Sequence, residues 1–368
     1  LNTYGRFGVP AFTPVILNVV LIAAAIWAAP LLEQPIMALA YAVFVAGVAQ
    51  LLFQLPFLAK IHALPRPRWC PRHAGVRRAF RIMVPAIFGS SVAQINVLLS
   101  GIIASLLPVG SISYLYYSDR LMEFPLGLFG IALATVTLPY LSRLWASDER
   151  RQFSETLDWS MRIAVLIAVP AAIGLVVLAA PLVITLFYGG EFDVRSVHMT
   201  VLALQAYAVG LVGFSFVKVL APAFFAREDT RTPVRIAIAA LIVNLVLGSS
   251  AAWYLTVIGY AGPHAALAGA TSIAAILNAV LLYLGLRRAE VIRHGPGWTA
   301  MLVRVLVASG TMIGVLWALH RTSAWWIDAA LGDRVMWLGV SVVAGAGAYF
   351  VALFVLGMRP AQFRMRHD

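Results

Sequence analysis

The sequence is short of charge, of acid and of cysteine. Only 11% of its 368 residues are charged, and acids number 15 against 27 Lys and Arg. A soluble domain is about a quarter charged, so this chain cannot cover a globular surface with polar groups. That excludes a soluble enzyme, a disordered chain and a DNA-binding module. Cys70 stands alone, which excludes an intrachain disulfide and a cysteine zinc site. His73 lies three residues on, but no second ligand pair follows, and both read as structural. No H-E-x-x-H, G-x-S-x-G, Walker loop or paired-aspartate metal motif occurs. We therefore expect no catalytic residue, no metal site and no resident cofactor. No basic segment ahead of a short apolar core opens the chain, so no signal peptide is expected.

What is abundant is apolar sequence: 62% hydrophobic residues and a mean hydropathy of +0.89. Bilayer-spanning helices need about 20 apolar residues each. Ten apolar stretches fall near 8–29, 35–59, 82–107, 111–144, 157–188, 197–226, 232–257, 263–286, 298–320 and 334–357. Open strand edges are untenable in hydrocarbon, so the expected fold is an all-α, polytopic transmembrane bundle of ten spans. The fourth and fifth stretches exceed what a bilayer needs, and Pro125, Pro170 and Pro181 are expected to kink long spans.

The net charge of +12 would suggest a polyanionic partner in a soluble protein. Here its distribution has another cause. Twenty of the 27 basic residues fall in alternate loops and the two tails, among them Lys60, Arg66, Arg77, Arg143, Arg227, Arg287 and Arg364. The intervening loops hold Arg195, Arg321 and Arg334. The positive-inside bias places both termini in the cytoplasm, and nucleic acid is not an expected partner. The basic segment 60–81 separates two spans from eight. With Trp69 and Phe80 among its arginines it suits the anionic inner leaflet, and a solvated inter-bundle linker is the preferred reading.

Ionisable residues inside apolar spans are candidates for function. The clearest group is Ser118-Asp119-Arg120-Leu121-Met122-Glu123-Phe124-Pro125. If the fourth span starts near Ser111, Asp119 and Arg120 lie roughly 12–14 Å inside it at the helical rise. Asp119 and Glu123 share a face at i,i+4. Each charge costs about 2.5–3.5 kcal/mol on insertion scales, so the three must face a polar cavity, each other or a partner helix. Two readings stand. The cluster locks helices together, or Arg120 binds an anionic substrate, its guanidinium matching phosphate oxygens. We favour the second for Arg120 and a structural or positioning role for the acids. Lys218, about 12 Å from the cytoplasmic end of its span, is a weaker binding candidate because it can snorkel. Gln94, Asn96 and Asn244 are expected to make interhelical hydrogen bonds.

Three stretches resemble the lipid II flippases of the MurJ (MviN) family, part of the multidrug/oligosaccharidyl-lipid/polysaccharide exporter superfamily. They are LNTYGRFGVPAFTPVILN at 1–18, YYSDRLMEFPLGLFGIALATVTLPYLS at 116–142 and VKVLAPAFFAREDTRTPVRIA at 217–237. The resemblance implies a two-lobe exporter of which this chain holds the last ten of fourteen helices, lacking the first four. Residues 1–59 would end the N-terminal lobe and 60–81 form the basic linker. Residues 82–290 would form the six-helix C-terminal lobe, and 291–368 two additional helices and a cytoplasmic tail. It implies a multi-pass protein of the bacterial inner membrane, working by alternating access on undecaprenyl-diphosphate-linked peptidoglycan precursor, beside membrane lipids and the peptidoglycan synthesis machinery. Arg120 matches the family's cavity arginine on this helix. Some members bind sodium through acids among helices corresponding to spans three, seven and eight. Here those spans offer neutral groups such as Asn244 and Asn278, so membrane potential or another monovalent cation is the expected drive. The alternatives are an exporter of another lipid-linked oligosaccharide or drug, and a membrane enzyme handling polyprenyl phosphates.

Overall fold

The computed structural model describes residues 8–61, 94–127, 132–292 and 295–358, with Gly75, Arg77 and Phe80. Thirteen α-helices lie among the described residues: α1 Gly8–Ala23, α2 Pro35–Lys60, α3 Gln94–Ser105, α4 Ser111–Pro125, α5 Ala132–Ala146, α6 Arg150–Val177 and α7 Ala179–Phe187. Then follow α8 Val194–Phe225, α9 Arg231–Val257, α10 His264–Arg288, α11 Trp298–Ala318, α12 Ser323–Asp328 and α13 Leu331–Val355. Among the described residues there is no strand, only an isolated bridge between Gly189 and Phe192. Among the described residues eight helices are long and apolar enough to cross a membrane: α1 with its extension to Leu31, α2, α6, α8, α9, α10, α11 and α13. The expected third span is described only over Gln94–Ser105. The expected fourth comprises α4, a π turn at 126–127 and α5, the residues between lying outside the description. The Cys70 and His73 pair lies outside it too.

The chain divides into two units, Leu1–Ile82 and Met83–Asp368. In the first, α1 and α2 pair. Ala38, Ala42 and Ala46 recur every fourth residue on α2 and are buried, a small-residue stripe that lets two helices approach closely in lipid. Phe12 meets Phe53 at 5.7 Å between ring centroids, and the Gln50 amide donates to the Thr13 carbonyl at 3.0 Å.

In the second unit α8 is central, packed against α4, α5, α6, α7 and α10. Glycines set its crossing with α10. A Cβ on Gly210 would stand 2.6 Å from Ser272 Cα, and one on Gly213 2.7 Å from the Ile276 nitrogen. Ser272 Oγ donates to the Ala206 carbonyl at 2.7 Å across the same contact. The long fifth stretch breaks at Leu178 into α6 and α7. Pro181 falls in the first turn of α7, where its missing N–H costs nothing. Helices α11 and α13 pair through Gly345, which packs on Leu316, and reach α6 through Tyr349, whose buried hydroxyl donates to the Leu166 carbonyl at 2.7 Å.

Candidate functional site

Helix α4 carries the charged cluster, and its sequence splits cleanly into two faces. Ser111, Leu115, Ser118 and Met122 are buried at helical spacing. Ser118 Oγ donates to the Thr200 carbonyl of α8 at 2.8 Å as well as to its own Tyr114 carbonyl, which fixes the rotation of α4 against α8. Tyr117 continues the contact into an aromatic group with Phe187 and Phe192, at 4.7 and 5.4 Å. That rotation turns Arg120 and Glu123 outward from the unit, with side chains 56% and 52% exposed.

The exposed pair is joined. Arg120 Nη1 donates to Glu123 Oε2 at 2.7 Å, and the Arg120 guanidinium sits 5.0 Å from the Tyr116 ring centroid. Arg120 is thus held by one residue a turn before it and one a turn after it. One carboxylate leaves the guanidinium with further donors for a second anion. Asp119 is half-buried on the shoulder of the same helix and makes no ion pair among the described residues. Lys218 is exposed on α8 and likewise makes none. It lies 18 residues beyond Thr200, roughly 27 Å along the helix axis, so it does not join the Arg120 cluster.

Of the three polar residues expected to bridge helices, two do so together. Asn244 Nδ2 donates to Asn96 Oδ1 at 2.7 Å, and Thr271 Oγ1 donates to Asn244 Oδ1 at 3.2 Å. Helices α3, α9 and α10 meet there through neutral side chains. Gln94 is exposed at the start of α3.

A second charged cluster escaped the sequence reading. Arg162 Nε donates to Asp158 Oδ2 at 2.8 Å, with side chains 22% and 10% exposed. Arg162 Nη2 donates to the carbonyls of Gly295 and Pro296, at 3.0 and 3.1 Å. The Trp298 indole donates to Asp158 Oδ1 at 2.6 Å. The i,i+4 spacing of the ion pair is visible in sequence, but its partners at 295–298 are not, being more than 130 residues away. Outside the spans, the Asp193 carboxyl is held below the usual carboxylate range by the Ser196 backbone N–H that caps α8. Burial raises the Asp229 carboxyl, but hydrogen bonds from Thr232 at the start of α9 outweigh it and the net shift is downward.

The family model described as "Lipid II flippase MurJ" matches residues 1–336. The chain belongs to the MurJ family. A probable lipid II flippase MurJ of Vibrio cholerae is 45% identical over 98% of this chain and 67% of its own length. The lipid II flippase MurJ of Burkholderia cenocepacia is 42% identical over 100% of this chain and 70% of its own. A solved MurJ in an inward closed conformation superposes with a TM-score of 0.73 at 22% identity, covering 96% of this chain and 68% of that one. The MurJ fold is therefore shared, and the all-helical, polytopic architecture expected from the sequence holds.

Proposed function

We infer that the chain works as a lipid II flippase, moving the lipid-linked peptidoglycan precursor from the inner to the outer leaflet of the bacterial inner membrane, in which it is a multi-pass protein. The family match over residues 1–336 carries this reading. The chain acts as a transporter, not an enzyme. Its substrate is the undecaprenyl-diphosphate-linked precursor, membrane lipids surround it, and the peptidoglycan synthesis machinery uses what it delivers. Its basic loops face the cytoplasm, with 60–81 linking an N-terminal helix pair to the lobe beyond.

Arg120 takes the diphosphate. What supports this is its position on an outward face of the unit, held by Glu123 and Tyr116 and not consumed by a buried partner. Glu123 and Asp119 position it. The neutral Asn96–Asn244–Thr271 contact supports a cycle driven by membrane potential or by a monovalent cation bound elsewhere.

Arg120→Ala in the full-length protein should fail to rescue a flippase-depleted strain while membrane levels of the protein stay normal. Normal rescue would remove Arg120 from the binding machinery.

A further inference from the structure

A groove of about 790 Å³ runs along the outside of the second unit between α6, α8, α10 and the start of α11. It is lined by Val212 and Phe216 of α8, Ile276, Val280 and Tyr283 of α10, and Trp298. Its walls are almost wholly apolar. It opens outward, since Ile276 and Val280 are 40% and 46% exposed. It exists because Gly213 brings the α8 and α10 backbones together at one end, while the Arg162–Asp158–Trp298 bonds pin the 295–298 segment at the other.

Three features say what fits it. First, the stripe Ile276, Val280, Tyr283 ends at Arg287, which follows Tyr283 at i+4. Eleven residues of helix span about 16 Å, close to the roughly 15 Å that one leaflet contributes to the hydrocarbon core. Second, Arg287 and Arg288 lie in the last turn of α10, the turn after the lining residue Tyr283, are exposed and make no ion pair among the described residues. Third, of the acids nearby Asp158 is engaged by Arg162 and the Trp298 indole, and Glu290, whose N–H donates to the Arg287 carbonyl, is outnumbered by Arg287 and Arg288, so the rim stays net cationic. An apolar groove with two arginines one helical turn beyond it, Arg287 lying about 16 Å along the helix from Ile276, matches a single acyl chain beneath a phosphate.

We propose that this groove is a binding site for an anionic phospholipid of the leaflet facing the basic loops, with one acyl chain along Ile276–Tyr283 and the headgroup phosphate at Arg287 and Arg288. This site is separate from the Arg120 cluster on α4 and does not depend on the transport reading. A bound lipid would fill the seam between α8, α10 and the start of α11, stiffening the attachment of α11 and α13.

The test uses the full-length protein in nanodiscs with a phosphatidylglycerol carrying a photoreactive diazirine on its acyl chain, and peptide mapping after illumination. Labelling should concentrate in 212–216 and 276–283. Excess phosphatidylglycerol should compete, and phosphatidylcholine should not. Val280→Trp, which fills the groove, should abolish labelling there. Arg287→Gln and Arg288→Gln should each raise the phosphatidylglycerol needed for competition by roughly fivefold, the effect of one arginine near an anionic lipid. Arg231→Gln/Arg235→Gln, at another basic loop, should leave it unchanged. Equal competition by phosphatidylcholine would overturn the headgroup site. Labelling spread evenly over the lipid-facing helices, or none in the groove, would overturn the proposal in the wild-type protein whatever the variants do.

Discussion

Asp158 and Trp298, 140 residues apart, are joined by a 2.6 Å hydrogen bond from the indole nitrogen to the carboxylate. With Arg162 between them, this bond ties α6 to the entry of α11. A carboxylate this close to burial is tolerated because both its oxygens are occupied.

Trp298→Phe keeps an aromatic ring, smaller than the indole, but removes the donor, and should lower stability by at least about 1.5–3 kcal/mol, the worth of a hydrogen bond to a charged group. Asp158→Ala should cost more, because it strands a half-buried arginine. The double variant Asp158→Ala/Arg162→Ala should be less damaging than the sum of its single changes. Melting temperatures in detergent decide the matter; additive effects would show that the two residues do not act as a unit.

The Arg120–Glu123 pair is more than half exposed, and such pairs contribute at most about 1 kcal/mol. Glu123→Gln and Arg120→Ala should therefore melt within about 1 kcal/mol of the parent while differing in rescue of growth. A large drop in melting temperature for either would make the pair a structural element of α4.

The α8–α10 crossing should be intolerant of a single methyl. Gly213→Ala places a Cβ against the backbone of Ile276 and should cost about 1–3 kcal/mol by overpacking. Gly269→Ala, on α10 with nothing within 4 Å of its Cβ, serves as the control and should be neutral or stabilising. Equal melting temperatures would mean that the helices separate freely.

Asp193 caps α8 through the Ser196 N–H. Its carboxyl titrates below the ordinary value of about 4, so its contribution is present above that value and is lost as pH falls through the lower folded value. Asp193→Asn keeps a capping oxygen without the charge. The variant should melt with a shallower pH dependence between about pH 5 and 2 than the parent. Parallel pH profiles would remove Asp193 from the acid response.

The sequence carried the helices, because a spanning segment declares itself by length and apolarity whatever surrounds it. Runs such as 232–257 and 263–286 match α9 and α10 closely. The break at Leu178 was legible only as an interruption expected near Pro181; that it falls at Leu178, with Pro181 in the first turn of a new helix, is a matter of packing. The DRLMEFP cluster was legible as unusual, because buried charge is costly wherever it occurs. Which way it points was not. That was decided by Ser118, an ordinary serine in sequence, bonding to Thr200 across 82 residues.

By itself, then, the sequence determined the helical, membrane-spanning class, the alternation of basic loops, the resemblance to MurJ and the candidacy of Arg120. Each follows from local composition or from an unbroken string of residues. Tertiary structure alone decided the pairing of Arg120 with Glu123 on an outward face and the separation of Lys218 from them. It also decided the lock of Asp158, Arg162 and Trp298, and the groove beside it. These depend on the rotation of each helix against its neighbours, which a period of 3.6 residues permits in many settings and only close packing selects.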